Sequence, residues 1–361
     1  MLSLQILDTI PELIKKTFPV PGRFKSALPS NIAELSHLLT NNRGERPLSY
    51  LSRPEMLSAY LNYFLTWNLY RLCYIIPFLD IKLKSGDTII DYGSGPLTFA
   101  SALWIARPDL RNIPLKINCI DRCSPVLEAG KKFFNALTCE SPWEINLVRE
   151  DIDIRRNSKR KKASLVCSVN MFNEMYEKIP HNNTAGLKEL ADNAAKFLHN
   201  SSLKEACIFT VEPGVPRSGK FISYLRDSFI KLERPPSSPC THSENCPLTE
   251  QKRWCHFAFG TENVSKELQR LSAAAGLPKE RLVLSYLLTG KKEENPQVRV
   301  ISDAFPLQNS LFGRYCCCAQ GLVLVTGERK KIVKIEPHSL IKINLNGTID
   351  EKSGALNGEL K

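Results

Sequence analysis

Thr88-Ile89-Ile90-Asp91-Tyr92-Gly93-Ser94-Gly95-Pro96-Leu97-Thr98 is the stretch on which the fold turns. Residues 88–91 form a short apolar run with the look of a buried strand, and helical periodicity follows over 98–106. The turn between them holds two glycines, which let backbone approach a ligand where a side chain would block it. Outward from this unit the pattern repeats. Residues 115–121, 145–148, 164–169 and 206–212 read as further buried strands, and 124–137 as a helix between two of them. Strands alternating with helices predict an α/β fold, a doubly wound, Rossmann-like parallel sheet covered on both faces.

Such a sheet binds its ligand beyond the carboxyl ends of its strands. Asp91 closes the first strand there, and Asp121 closes the second, thirty residues later. An acid at the second strand tip can accept hydrogen bonds from both hydroxyls of a ribose. A dinucleotide fingerprint would place a third glycine at position 98, where this chain has Thr98, and Pro96 removes an N–H that would cradle a pyrophosphate. An acid at Asp91 repels phosphate and suits the cationic methionine end of S-adenosylmethionine. The candidate cofactor-binding residues are therefore Asp91, Gly93, Gly95 and Asp121, with Asp151 within possible reach of an adenine amino group. NAD and a purely structural turn are the alternatives. The fourth strand is followed by Asn170-Met171-Phe172-Asn173-Glu174, without the Asn/Asp-Pro-Pro-aromatic motif of many amino-group methyltransferases. Asn173 and Glu174 are polar but equally suited to capping a helix, so no catalytic residue is assigned.

The remainder of the 361-residue chain sets the context. Residues 1–80 read as a helical region, with a helix start at Ser30 or Asn31 and another opened by Pro54. Residues 81–235 hold the α/β domain and 236–335 a cysteine-rich region with strand-like segments at 281–288 and 314–326. The Asn-, Gly- and Lys-rich residues 336–361 read as a flexible tail. Pro235-Pro236-Ser237-Ser238-Pro239 marks a break between the domains. Forty-nine Lys and Arg against thirty-seven Asp and Glu give a net charge of +12, compatible with a polyanionic partner. The densest basic run is Arg155, Arg156, Lys159, Arg160, Lys161 and Lys162. No apolar run reaches the ~18 residues of a membrane span, and the N-terminus carries no readable export or import signal, so a cytoplasmic setting is expected.

Twelve cysteines in a reducing compartment are thiols rather than a disulfide framework. Cys73, Cys119, Cys123, Cys139, Cys167 and Cys207 are scattered and read as buried, inert residues. Cys240, Cys246 and Cys255 fall within sixteen residues, and Cys316-Cys317-Cys318 follow. Three spaced loop thiols plus one from a strand can supply the four ligands of an iron–sulfur cluster, favoured here, or of a zinc site. His242 and His256 keep a mixed Cys/His zinc site open, and a metal-free cluster of thiols is the third reading. Pro239-Cys240 also has the form of the nucleophile of some RNA cytosine methyltransferases, but outside the strand where that nucleophile belongs.

Several motifs together match one family. They are Asp91-Tyr92-Gly93-Ser94-Gly95-Pro96, Asp121-Arg122, Val211-Glu212-Pro213-Gly214-Val215-Pro216-Arg217, Cys240-x5-Cys246-Pro247-Leu248, Trp254-Cys255-His256-Phe257 and Cys317-x3-Gly321. The chain resembles the methyltransferase-like proteins of mitochondrial small-ribosomal-subunit assembly and their bacterial relatives. The resemblance implies a class I methyltransferase-like domain using S-adenosyl-L-methionine and an iron–sulfur cluster, 4Fe–4S in type. It also implies small-subunit ribosomal RNA as partner, acted on as a substrate or bound by a non-catalytic assembly factor. Cys240, Cys246 and Cys255 carry over as metal ligands. The spacing to Gly321 favours Cys317 as the fourth, with Cys316 and Cys318 as neighbours that could substitute. Where the family turn often reads Gly-Pro-Gly, this chain has Leu97, expected to crowd or reshape the methyl-donor pocket.

Overall fold

The run read at 88–91 is a strand over Thr88–Tyr92 (β1) in the computed structural model, which describes residues 2–20, 22–40, 50–156, 160–249, 253–290 and 298–361. The chain divides into two units. The first comprises Met1–Asn183, Ser201–Leu203 and Gly260–Leu282; the second comprises Thr184–Asn200, Lys204–Phe259 and Val283–Lys361.

In the first unit β1 is joined by Lys116–Asp121 (β2), Glu144–Arg149 (β3) and Ala163–Val169 (β4). All pair in parallel, in the order β3-β2-β1-β4, with Thr88 opposite Lys116 and Ile89 opposite Leu165. β1 and β4 are central and almost wholly buried, so their side chains are apolar on both faces: Ile89, Ile90, Leu165 and Val166 are fully enclosed. Each such side chain contributes about 1.5–3 kcal/mol relative to exposure. β3 is flanked on one side only, and its burial falls accordingly. The helices Thr98–Ala106 and Ser124–Thr138 alternate with these strands. The chain steps outward from β1 to β2 and β3, then returns to β1's other edge as β4. That reversal opens a crevice at the carboxyl ends of β1 and β4.

The N-terminal helices belong to the same unit. Pro54–Ala59, a π-helical segment Tyr60–Leu65 and Thr66–Ile75 run on without interruption, and Pro54 occupies the first turn as read from sequence. The expected start at Ser30 or Asn31 is corrected. The helix spans Leu28–Thr40, and the Asn31 N–H already donates to the Ala27 carbonyl, so both residues lie inside it. The linear division also gives way. Residues 260–282, expected to travel with the cysteine-rich region, contribute the helix Lys266–Ala274 to the first unit. Trp67 Nε1 donates to Ser272 Oγ at 3.2 Å, and the Tyr63 hydroxyl to the Leu277 carbonyl at 3.1 Å.

The second unit holds most of Ser202–Pro213 (β5), all of Pro236–Ser238 (β6), and most of Phe257–Gly260 (β7) and Arg281–Thr289 (β8). β5 and β6 pair antiparallel with β8, and β7 also pairs with it. The prolines read as a break therefore carry a strand. A further sheet comprises Val298–Val300 (β9), Phe305–Pro306 (β10), Leu311–Cys318 (β11), Gly321–Glu328 (β12), Leu340–Ile341 (β13), Ile343–Ile349 (β14) and Leu356–Leu360 (β15), in the order β13-β9-β11-β12-β15-β14 with β10 on β11. The single strand-like segment expected at 314–326 is thus a hairpin. The expected flexible tail is corrected too: 336–361 contain three strands, β15 pairs with β12, and Ala355 is fully buried. Lys342, Asn344, Asn346, Gly347 and Lys352 are exposed on and beside the edge strand β14, which is why composition mimicked a tail.

Candidate functional site

The turn after β1 is fastened to β2. The N–H groups of Gly93 and Ser94 both donate to the Ile120 carbonyl, at 2.9 and 3.0 Å. Asp121 Oδ2 accepts from Gly95 N–H at 3.0 Å, and its Oδ1 from Cys123 N–H at 2.9 Å. Burial raises the Asp121 pKa, and these two N–H donors pull it back. A carboxylate offers about four acceptor positions, so Asp121 retains lone pairs for a ribose while holding the turn. Gly93, Gly95 and Leu97 all have positive φ, at 69°, 53° and 55°. A Cβ at Gly93 would lie 2.7 Å from two atoms of Met171, whereas one at Gly95 would meet nothing within 4 Å. Gly95 thus faces open space and Gly93 is pressed against the turn after β4.

Leu97 does not crowd that space. Its side chain is fully buried and reaches helix Ser124–Thr138 at Gly130, where a Cβ would stand 2.7 Å from Leu97 Cδ1. The sequence reading missed Gly130, although a glycine inside an otherwise regular helix signals close approach.

Asp91 lies beneath the turn, 1% exposed, accepting from Ser94 Oγ at 2.6 Å and from Cys167 Sγ at 3.4 Å. Burial pushes its pKa from 3.8 up to about 7, with Asp121 adding repulsion and the two donors opposing. The protonated form is therefore favoured in the folded chain. Its stabilisation is complete below pH 4 and is lost as pH rises to about 7, at most about 4 kcal/mol. Asp91→Asn is expected to be more stable than the parent at pH 8, with the gain vanishing near pH 4. Urea unfolding across that range measures it, and a gain independent of pH contradicts the assignment.

Other sequence candidates fall around the same strand ends. Arg122 pairs with Glu174 Oε2 at 2.9 Å, tying the tip of β2 to the residues after β4. Asn173 is buried at the start of the short helix Asn173–Tyr176. Asp151 is exposed two residues beyond β3. The basic run is partly neutralised: Arg155 and Arg156 pair with Asp153 at 3.0 and 3.4 Å, and Arg160 pairs with Glu150. Lys159 lies outside the described residues.

The second candidate site lies within the second unit. Alternation along β11 separates its three cysteines. Cys316 and Cys318 enter an apolar cluster with Val298, Val300, Val323 and Val325. Cys317 faces the other way. Burial raises its pKa most, followed by the thiols of Cys240, Cys246 and Cys255. Cys255 is raised by burial and then by Cys240 and Cys246, so all four thiols are electrostatic neighbours. Cys246 and Cys255 also pack against Leu248, Leu322, Leu324 and Ala355. His242 Nε2 stands 3.4 Å from Cys317 Sγ, and Ser223 Oγ 3.9 Å from Cys246 Sγ. Among the described residues, no three His, Cys, Asp or Glu are already set in metal-binding geometry. The thiols are gathered, not closed into a coordination sphere. The four-sulfur donor set nonetheless fits an iron–sulfur or zinc centre by its chemistry.

Two further motifs meet beside it. Trp254 Nε1 donates to the Gly214 carbonyl at 3.1 Å, and its ring covers Gly219, where a Cβ would approach Trp254 Cδ1 to 2.6 Å. The Glu-Pro-Gly and Trp-Cys-His-Phe segments thus lock the cysteine loop onto helix Pro216–Lys231. The six scattered cysteines are mixed: Cys73, Cys119 and Cys167 are buried, Cys123 and Cys207 partly so. Cys139 corrects the expectation, being exposed at the end of its helix with φ of 56°. Among the described residues no disulfide is formed.

A parallel β3-β2-β1-β4 sheet with a fastened glycine turn at its reversal, in a chain that adds antiparallel strands, defines an α/β protein of methyltransferase-like arrangement. The chain belongs to the family described as mitochondrial small ribosomal subunit Rsm22, whose model matches residues 86–320. Among solved structures it is similar to a candidate class I S-adenosylmethionine-dependent methyltransferase of Listeria monocytogenes, with 12% identity, TM-score 0.35 and coverage of 81% of this chain and 87% of that one. A methyltransferase of Geobacter sulfurreducens in complex with S-adenosyl-L-homocysteine has 12% identity, TM-score 0.34 and coverage of 62% and 90%. A complex of the Haloferax volcanii Trm112 methyltransferase activator with a candidate methyltransferase has 10% identity, TM-score 0.34 and coverage of 72% and 98%. These likenesses are loose, and the fold class stands on the strand order. No curated protein matches the sequence. Among the described residues no helix is long and apolar enough to cross a membrane.

Proposed function

We propose that this chain binds S-adenosyl-L-methionine at the carboxyl ends of β1 and β2 and acts in assembly of the small ribosomal subunit, on or against its ribosomal RNA. The observation that carries the reading is Asp121 holding Gly95 at the crevice, which puts a ribose acceptor beside an open, side-chain-free turn. Gly93, Gly95 and Asp121 would hold the nucleoside end, and Asp91 would brace the turn from beneath through Ser94. Bound there, the cofactor supplies an electrophilic methyl group. The family match and the +12 charge support ribosomal RNA as the partner.

In the second unit, Cys240, Cys246, Cys255 and Cys317 would hold one metal centre, an iron–sulfur cluster in the favoured reading and zinc in the other. Four neighbouring thiols with two buried arginines beside them support it.

A non-catalytic reading has a specific observation in its favour. Both Asp121 oxygens and both Asp91 oxygens already accept internal hydrogen bonds, so the acids also serve to brace the turn. Isothermal titration with S-adenosyl-L-methionine separates the two. Binding that Asp121→Ala weakens by about 1–3 kcal/mol, roughly fivefold to 150-fold, is expected from loss of charge-assisted hydrogen bonds. No heat with the metal-replete parent protein removes the methyl-donor reading and leaves the assembly factor.

A further inference from the structure

Two arginines beside the thiol cluster are buried with little or no enclosed negative charge: Arg226 meets one carboxylate, which is partly exposed, and Arg299 meets none among the described residues. Arg226 is 2% exposed on the inner face of helix Pro216–Lys231, among Phe221, Ile222, Leu225 and Phe229. Its Nη2 donates to the His242 and Glu244 carbonyls at 2.9 and 2.6 Å, both in the loop between Cys240 and Cys246. One carboxylate, Asp227, touches it from a partly exposed position. Arg299, 8% exposed on β9, stands directly opposite Cys317 in the strand register. Its Nε donates to the carbonyl of Pro239, immediately before Cys240, at 2.9 Å, and its Nη1 to the carbonyl of His338. Among the described residues no carboxylate pairs with Arg299. His338, which faces it, is also held by the Tyr286 hydroxyl and is no counter-anion.

A buried guanidinium with no anion costs several kcal/mol. This applies in full to Arg299, while Arg226 has the partly exposed Asp227 alone, so further compensating charge must come from elsewhere. The groups that can supply it are the four thiols, once deprotonated to hold metal. Four thiolates around a doubly positive centre, cluster core or zinc ion, leave two negative charges. The two guanidinium groups offset this charge, Arg299 with no other anion among the described residues and Arg226 shared with the partly exposed Asp227. We propose that Arg226 and Arg299 are the positioning counter-cations of the four-thiolate centre, Arg226 fixing the Cys240–Cys246 loop and Arg299 bridging Cys240 to Cys317. This inference rests on the metal centre proposed above and assigns to it residues of this chain that do not themselves ligate.

The test uses the full chain, purified without oxygen. Iron, zinc and acid-labile sulfide per chain are measured, then the rate of metal release to a chelator. Arg226→Gln and Arg299→Gln are each expected to release metal about tenfold faster than the parent. Arg226→Lys and Arg299→Lys keep the charge, lose the fork, and are expected to stay within about threefold of the parent. Lysine variants that fold keep the inference testable should a glutamine variant fail to fold. Glutamine variants that release metal at the parent rate overturn it, as do lysine variants as fast as glutamine ones. A parent protein with neither iron nor zinc overturns the metal centre itself; metal-replete parent with unaltered variants overturns only the arginine roles.

Discussion

Cys317→Ser is expected to strip the metal from the anaerobically purified protein, while Cys316→Ser and Cys318→Ser leave it in place. The three residues are consecutive, so composition treats them alike and only the strand's two-residue period tells them apart. Cys317, on the opposite face of β11 from Cys316 and Cys318, has the thiols of Cys240, Cys246 and Cys255 as electrostatic neighbours. Cys316 and Cys318 are buried among valines and Ile332. Where a metal site is not preformed in the unfolded chain, binding energy is folding energy. Cys317→Ser should therefore lower the melting temperature through metal loss, by several kcal/mol of stability, and added chelator should have no further effect on it. Cys316→Ser buries a hydroxyl in an apolar cluster, a cost of about 1–3 kcal/mol with metal content unchanged. Metal and sulfide analysis beside thermal unfolding separates the two kinds of loss. Metal retained by Cys317→Ser and lost by Cys316→Ser would move the site to the other face of β11 and end the assignment.

The parallel sheet was legible because its strands are apolar on both faces. Runs such as Ile89-Ile90 and Leu165-Val166 have no other use in a chain without membrane-length segments, and helix Thr98–Ala106 begins where its turn residues stop. The strands of 336–361 were not legible, because one face of an edge hairpin is solvated and its residues are those of a loop. The division into units was also hidden. Nothing local in 260–282 reveals that Ser272 and Leu277 meet Trp67 and Tyr63 some two hundred residues earlier. At the candidate sites the thiols and acids proposed as ligands were readable from spacing, and the bracing residues mostly were not. Arg226 is the exception that could have been found. It interrupts the apolar stripe of its helix, between Ile222 and Phe229, and an arginine at such a position needs an anion. Arg299 gives no comparable signal, since its role depends on pairing with β11.

Gly130→Ala should cost the turn its shape, and with it the methyl donor. In an exposed helix this change gains about 1 kcal/mol, because alanine is the better helix former. Here the added Cβ would lie 2.4 Å from the Pro96 carbonyl carbon, 2.7 Å from Pro96 Cα and 2.7 Å from Leu97 Cδ1. Backbone cannot swing aside as a flexible side chain does. The proline ring fixes φ, Leu97 is already left-handed, and the turn is bonded through Gly93, Ser94 and Gly95 to Ile120 and Asp121. Either the helix Ser124–Thr138 retreats from the sheet or the turn rises from it. Overpacking of this kind costs about 1–3 kcal/mol, reversing the sign expected from propensity. Because the Gly95 N–H to Asp121 bond sets the ribose acceptor, the affinity for S-adenosyl-L-methionine is expected to fall at least about tenfold. Gly22→Ala is the control, since Gly22 is an exposed helical residue where a Cβ meets nothing within 4 Å; it should not lower stability and should leave the affinity unchanged. If Gly130→Ala melts like the parent, the close approach is not real. If it melts lower yet binds the methyl donor with parental affinity, the carboxyl ends of β1 and β2 are not where that ligand sits.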